Sequence, residues 1–451
     1  MSETKVSTNL TEGKLAPALL AFSVPFLLST LLQTLYGTVD TLTVGNFATT
    51  GSVSAVATGA EVLSIFTFLA YGLSNGSTIL LGQSIGAKDH KRAAKLVGNT
   101  IIDFAVISVV FMLLLLFLYP TALDLLNIPE EAKAEAYRYC KICSFGIPLI
   151  VGYNTVGAML RAMGDSKSPL LFVSIACVIN VFGDLFLTGV MGMGAAGVAI
   201  ATVCAQGVSF IFSLIFIMKR GLGFEFHVSD IRYDGHTTAQ IFKVGVPMGL
   251  QSILINLSFL FITSIINAMG VTASAAMGIG DKIVNFAFLP QNSIGAALAV
   301  VVAQNIGAKK ADRAISAVKL GIMFCVPIET VFLLFCQFLP DVLPSLFSND
   351  AEVIHMAGMY MRAYSIDAVL TSLTFCLSGL LNGCGKTTQN MVQNLISTFL
   401  GRVPATYLLS RLPNTNLFLI GMAAPASTIM SVIMLGVYIG LGYWKKGLSE
   451  T

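Results

Sequence analysis

The chain has 451 residues, 55% of them hydrophobic and 11% charged, with a formal net charge of +3. So apolar a composition excludes one or two soluble domains and reads as an all-α polytopic membrane protein. The small net charge, with no basic run, excludes a nucleic-acid surface. Eight cysteines lie mostly inside apolar runs and set no disulfide framework, and four histidines fall in loops without metal-ligand spacing.

Hydropathy predicts twelve spans in chain order. The first six run over residues 15–44, 53–81, 94–119, 139–160, 168–190 and 195–218. The second six run over 242–269, 273–302, 315–339, 357–381, 389–409 and 417–443. This divides the chain into a six-helix bundle over 1–218, a polar linker over 219–240 and a second bundle over 241–451. Alternate loops collect the cations, among them Lys88, Lys91, Arg92, Arg161, Lys219, Arg220, Lys309, Lys310 and Arg313, while the opposite loops are uncharged or acidic. The positive-inside rule then places the chain in the cell (inner) membrane with both termini and the linker cytoplasmic. Tyr443 and Trp444 beside Lys445 and Lys446 suit an interfacial anchor.

The halves repeat. Gln83-Ser84-Ile85-Gly86-Ala87-Lys88 recurs as Gln304-Asn305-Ile306-Gly307-Ala308-Lys309, 221 residues on, and the same spacing joins Tyr139 to Tyr360 and Gly164 to Gly385. Pro25 and Pro247 match with one residue of slip and are candidate hinges. With six spans each, both halves enter the membrane with one polarity, so the bundles are expected to be related by a pseudo-two-fold axis along the membrane normal.

The candidate chemistry lies at depth. Helical rise puts Asp40, Glu61 and Asp184 at similar levels in the first bundle. Tyr36 with Asp40, and Asn180 with Asp184, are four apart and share a helix face. Each buried acid costs about 3 kcal/mol to insert. No deep cation neutralises the first bundle's acids, so they must bind an ion, hold a proton or face water. The second bundle carries Lys282 and Arg402 with Asp281, Glu329 and Asp367, which either pair internally or serve a substrate or second cation. Gly72-xxx-Gly76 and Gly436-xxx-Gly440 are spaced for close helix packing. Gly385-Lys386-Thr387 is not a phosphate loop, because position 380 is Leu and no strand precedes it. No nucleophile paired with a base suggests an enzyme.

Together, the doubled Gln-x-x-Gly-Ala-Lys, Val39-Asp40-Thr41, Arg161-Ala162-Met163-Gly164-Asp165 and the Asn180 to Asp184 spacing resemble the multidrug and toxic compound extrusion (MATE) transporters over nearly the whole chain. The resemblance implies a V-shaped pair of bundles that exports small organic cations in exchange for protons or sodium, as a monomer in the bilayer and without another cofactor. It maps a proton or sodium site onto Asp40, Asn154, Asn180, Asp184 and Thr202, with Tyr36 nearby; sodium would sit at Asp40, Asn180 and Asp184. It also maps a second cation or substrate site onto Asp367, but the seventh span offers only Gln251 and Asn256 where some members have an acid. Glu61 and Lys282 are further substrate-site candidates. The alternative within the same broad superfamily is a lipid-linked oligosaccharide flippase, which would call for a cationic cavity.

Overall fold

The computed structural model describes residues 10–445, Asn127 excepted, and every regular element among them is helical. Long apolar runs leave the backbone no partner in lipid except itself, which forces helices. They are α1 (Leu15–Phe47), α2 (Thr50–Gly86), α3 (His90–Leu125), α4 (Glu130–Ala162), α5 (Lys167–Asp184) and α6 (Gly194–Arg220). After the linker come α7 (Gly235–Asn267), α8 (Val271–Ala287), α9 (Leu289–Gly307), α10 (Ala311–Phe338) and α11 (Ala351–Gly383). The last are α12 (Thr387–Leu395), α13 (Val403–Ser410), α14 (Leu417–Gly421) and α15 (Ala423–Gly440). Lys446 lies outside the described residues.

Ten of these spans are long and apolar enough to cross a membrane whole, α14 and α15 together forming one of them. The eighth predicted span departs from expectation: it is broken into α8 and α9, which meet at 43°. The eleventh is the continuous run from α12 through a π-helical stretch, Ile396–Arg402, to α13.

The helices gather into two compact units, one of residues 24–249 and one of residues 10–23 with 250–445. The division passes through α1 beside Pro25 and through α7 just beyond Pro247, so it falls inside two helices. In the first unit α4 lies against α2, α3 and α6; in the second α11 lies against α8, α9, α10 and α15.

The repeat seen in the sequence is written into the backbone. Lys88 and Lys309 both take φ 58°, a left-handed conformation that costs a non-glycine residue about 1–2 kcal/mol. Each closes a helix in the same way, with Asp89 N–H donating to Ser84 O at 3.0 Å and Lys310 N–H to Asn305 O at 2.8 Å. Gly164 and Gly385 repeat the device at φ 85° and 74°. Each half also seats a tyrosine on a glycine. A Cβ at Gly59 would come within 2.5 Å of the Tyr139 ring, and one at Gly280 within 2.5 Å of the Tyr360 ring.

The two small-residue motifs part company. Gly72 and Gly76 of α2 lie directly on Gly245 and Gly249 of α7, backbone to backbone. Gly436 and Gly440, which share the spacing, have nothing within 4 Å of a built Cβ, so their expected packing role is not seen.

The linker is fastened to α3. Asn99 Oδ1 accepts from Asp234 N–H at 2.6 Å and Asn99 Nδ2 donates to Asp103 Oδ2 at 2.7 Å, while Thr238 Oγ1 donates to Asp103 Oδ1 at 2.8 Å. Asp234 is held well below the usual carboxylate range, first by the Thr237 hydroxyl and then by Lys95, whose Nζ lies 3.0 Å from Oδ2. A lowered folded value means the ionised clasp contributes stability above the ordinary carboxylate range and loses it as pH falls toward the lowered value. Asp234→Asn is therefore expected to lower Tm at neutral pH. The gap to wild type should hold down to about pH 5 and close only below about pH 4; a gap that closed as pH rose would contradict the assignment.

Candidate functional site

Four of the predicted residues converge inside the first unit. Asp40, from the later turns of α1, lies beside Asp184 and Asn180 of α5 and Thr202 of α6. Asn180 Nδ2 donates to Thr202 Oγ1 at 3.2 Å. Asp184 is fully buried and Asn180 nearly so, while Asp40 and Tyr36 are half-buried. Tyr36, one turn before Asp40, lies close to it and to Cys177. The i to i+4 spacing that puts Asn180 and Asp184 on one face of α5 is what brings both to Asp40.

The electrostatics follow from what is missing around the pair. Asp40 Oδ1, Asn180 Oδ1 and both carboxylate oxygens of Asp184 are buried without a hydrogen-bond donor. None of the ion pairs among the described residues involves Asp40 or Asp184; they link Lys95 to Asp234, Lys133 to Asp124 and Glu130, and Arg220 to Asp165. Two carboxyl groups this close cannot both carry charge without a cation, so they share a proton or enclose a positive ion. The orphaned atoms are all oxygens, a donor set that suits a small hard cation such as sodium as well as a proton.

Directly after Asp184 the helix loosens into a π-helical stretch, Leu185–Val190. Such stretches are uncommon and recur at functional sites. Proline gives no warning of this one, because none lies in it.

The other candidates are placed differently. Asn154 turns its amide nitrogen back on its own helix, donating to Ile150 O at 2.8 Å. Glu61 is exposed, because α2 buries the stripe through Ser52, Ala55, Gly59, Val62 and Leu63 and leaves position 61 off it. In the second unit Asp367 is buried and accepts from Thr428 Oγ1 at 2.6 Å. Asn256 is exposed and bonded within α7 to Ser252 O, and Gln251 is half-buried. Lys282 is exposed and, among the described residues, in no ion pair, which removes it as an internal counterion to them. Arg402 packs instead among rings, 4.5 Å from the Phe259 centroid and 5.5 Å from that of Tyr364, whose hydroxyl it also contacts. Asp281 accepts from Tyr360 Oη at 3.0 Å. Of the two roles open to these residues, internal ion pairing is not seen among the described residues; Arg402, Asp281 and Asp367 make hydroxyl and cation–π contacts instead. Sequence reading missed the linker clasp, although Asn99 and Asp103, four apart at the end of an apolar helix, carried its signal.

Comparison with known proteins agrees with this architecture. The MatE family model matches residues 25–186 and 247–408, one match in each half. The chain is 29% identical over 439 residues to the probable multidrug resistance protein YpnP of Bacillus subtilis (strain 168), covering 97% of each. It is 26% identical over 432 residues to the probable multidrug resistance protein YoeA of the same organism, covering 94% of this chain and 93% of that one. Among solved structures, an outward-facing multidrug resistance MATE family transporter of the MOP superfamily superposes with a TM-score of 0.92 at 21% identity, over all of both chains. These likenesses do not favour the flippase alternative. A fold of twelve membrane helices in two six-helix halves, a repeated sequence frame and a family match in both halves identify the chain as a member of the MATE family of multi-pass membrane transporters.

Proposed function

We propose that this transporter is an efflux antiporter that exports small, mainly cationic organic compounds in exchange for protons or sodium, with Asp40 and Asp184 as its coupling centre. One observation carries the reading: two acids meet inside the first unit with buried oxygens that no donor satisfies. Only a mobile positive charge relieves such a pair, so occupancy by proton or sodium changes the local energetics. Asn180 and Thr202 hold the pair in register, and Tyr36 flanks it. Arrival of the coupling ion from outside favours release of the exported compound; the return step discharges the ion inside. One charge moving down about 150 mV yields roughly 3.5 kcal/mol, enough for a gradient of a few hundredfold.

The conformational part of the reading rests on α1 and α7. Each passes from one unit to the other beside a proline, Pro25 or Pro247, where a backbone hydrogen bond is lost. These are the proposed hinges of alternating access. The lysine- and arginine-rich loops are assigned to the cytoplasmic face of the cell membrane.

The test is uptake of a fluorescent organic cation by inside-out vesicles containing the protein, driven first by an imposed pH gradient and then by sodium alone. Uptake is expected under one of the two gradients. No uptake under either, with protein shown to be folded in the vesicles, overturns the reading.

A further inference from the structure

Two departures from the internal repeat fall at one level of the second unit. The first is the break between α8 and α9; the matching element of the first half, α2, runs unbroken from Thr50 to Gly86. The second is Glu329 of α10, which stands where the first half has Ser108, 221 residues earlier. Ser108 is satisfied by donating to Ala105 O at 2.9 Å. Glu329 is 1% exposed, and neither of its carboxylate oxygens has a hydrogen-bond partner.

Helix register shows what surrounds the acid. A Cβ at Gly321 of α10 would lie 3.3 Å from Ile294 of α9 and 3.4 Å from Cys376 of α11, and the thiols of Cys325 and Cys376 meet. Glu329 is one turn beyond Cys325, and on the antiparallel α11 the residue one turn the same way from Cys376 is Ser372. Ser372 Oγ lies 3.1 Å from Gln291 Oε1, and Gln291 Nε2 is itself buried without a partner. Gln291 is the third residue of α9, immediately past the break. The acid, a serine, a glutamine and an interrupted membrane helix therefore occupy one level. Interrupted helices recur in transporters where ions bind.

No charge on the neighbours compensates Glu329. α9 contains no ionisable side chain; on α11 the nearest ionisable group to Ser372 is the Cys376 thiol, which meets Cys325, and the nearest acid, Asp367, is bonded to Thr428 of α15. Among the described residues no three His, Cys, Asp or Glu side chains group to hold a metal ion. We propose that Glu329, completed by Gln291 and Ser372, binds one positive charge, a proton or a sodium ion, at a site separate from Asp40 and Asp184.

The experiment counts cations on the purified full-length protein: bound radioactive sodium by equilibrium dialysis, and bound protons by titration in sodium-free buffer. Glu329→Gln is expected to bind one cation fewer than wild type in one of the two assays, and which assay reports the loss distinguishes sodium from proton. Asp184→Asn is the control for the other centre. If Asp40 and Asp184 bind nothing, its count stays at the wild-type value while the Glu329→Gln loss persists. A Glu329→Gln count equal to wild type in both assays overturns the proposal. Should that variant fail to fold, Ser372→Ala keeps the acid and is expected to weaken binding at this site roughly tenfold; unchanged affinity there overturns it equally.

Discussion

Asp184→Asn is expected to cut ion-driven efflux sharply while leaving the protein folded. The asparagine side chain has nearly the same shape, fits the same fully buried position and cannot ionise. Its amide would donate to Asp40 permanently, supplying from within the protein what a mobile ion supplies in the wild type. The coupling free energy is then gone, and a coupling of about 1–3 kcal/mol corresponds to a loss of roughly fivefold to 150-fold in driven transport. Tm should hold or rise, since two unsatisfied buried oxygens are replaced by a group with a donor. Asp40→Asn should behave alike. Accumulation of a fluorescent cation in cells expressing each variant at wild-type level decides the matter, and undiminished efflux would remove Asp40 and Asp184 from the mechanism.

The second large effect is structural. At Gly72 a Cβ would lie 2.2 Å from the backbone nitrogen of Gly249 and 2.5 Å from its Cα. Backbone cannot rotate away as a side chain can, so α2 and α7 must separate along their crossing. Overpacking of this kind costs about 3 kcal/mol or more, a large part of a domain's net stability. Gly72→Val is therefore expected to give little folded protein by fluorescence-detected size exclusion. Gly436→Val, at the same motif spacing but with open space around it, should be recovered at wild-type yield. Equal yields from the two would mean that α2 and α7 do not cross this closely.

What could be read before any coordinates was governed by period and depth. The acids' level in the membrane follows from rise per residue, and the pairing of Asn180 with Asp184 follows from four-residue spacing. Rotation about the helix axis is harder to read. Glu61, expected at a comparable depth, is exposed, a fact its flanking stripe of Gly59, Val62 and Leu63 could have signalled. Asn154 is on the correct helix, but its amide bonds to its own turn, a choice made by local geometry that no motif encodes. Prolines were equally ambiguous: Pro148 and Pro327 sit inside unbroken helices, whereas Pro290 opens a new one after the break. A missing backbone bond permits a bend; packing of the neighbouring helices decides whether it happens. Lysine and arginine at depth invited ion pairs, but aromatic faces took Arg402 instead.

The duplicated seat of tyrosine on glycine gives the molecule its own calibration standard. Gly59 beneath Tyr139 and Gly280 beneath Tyr360 present one obstacle twice, at the same 2.5 Å. An alanine introduced at either place should therefore cost comparable thermal stability. Any difference in transport between those two variants then reports what each half contributes to the work of the pump, with the mechanical disturbance already subtracted.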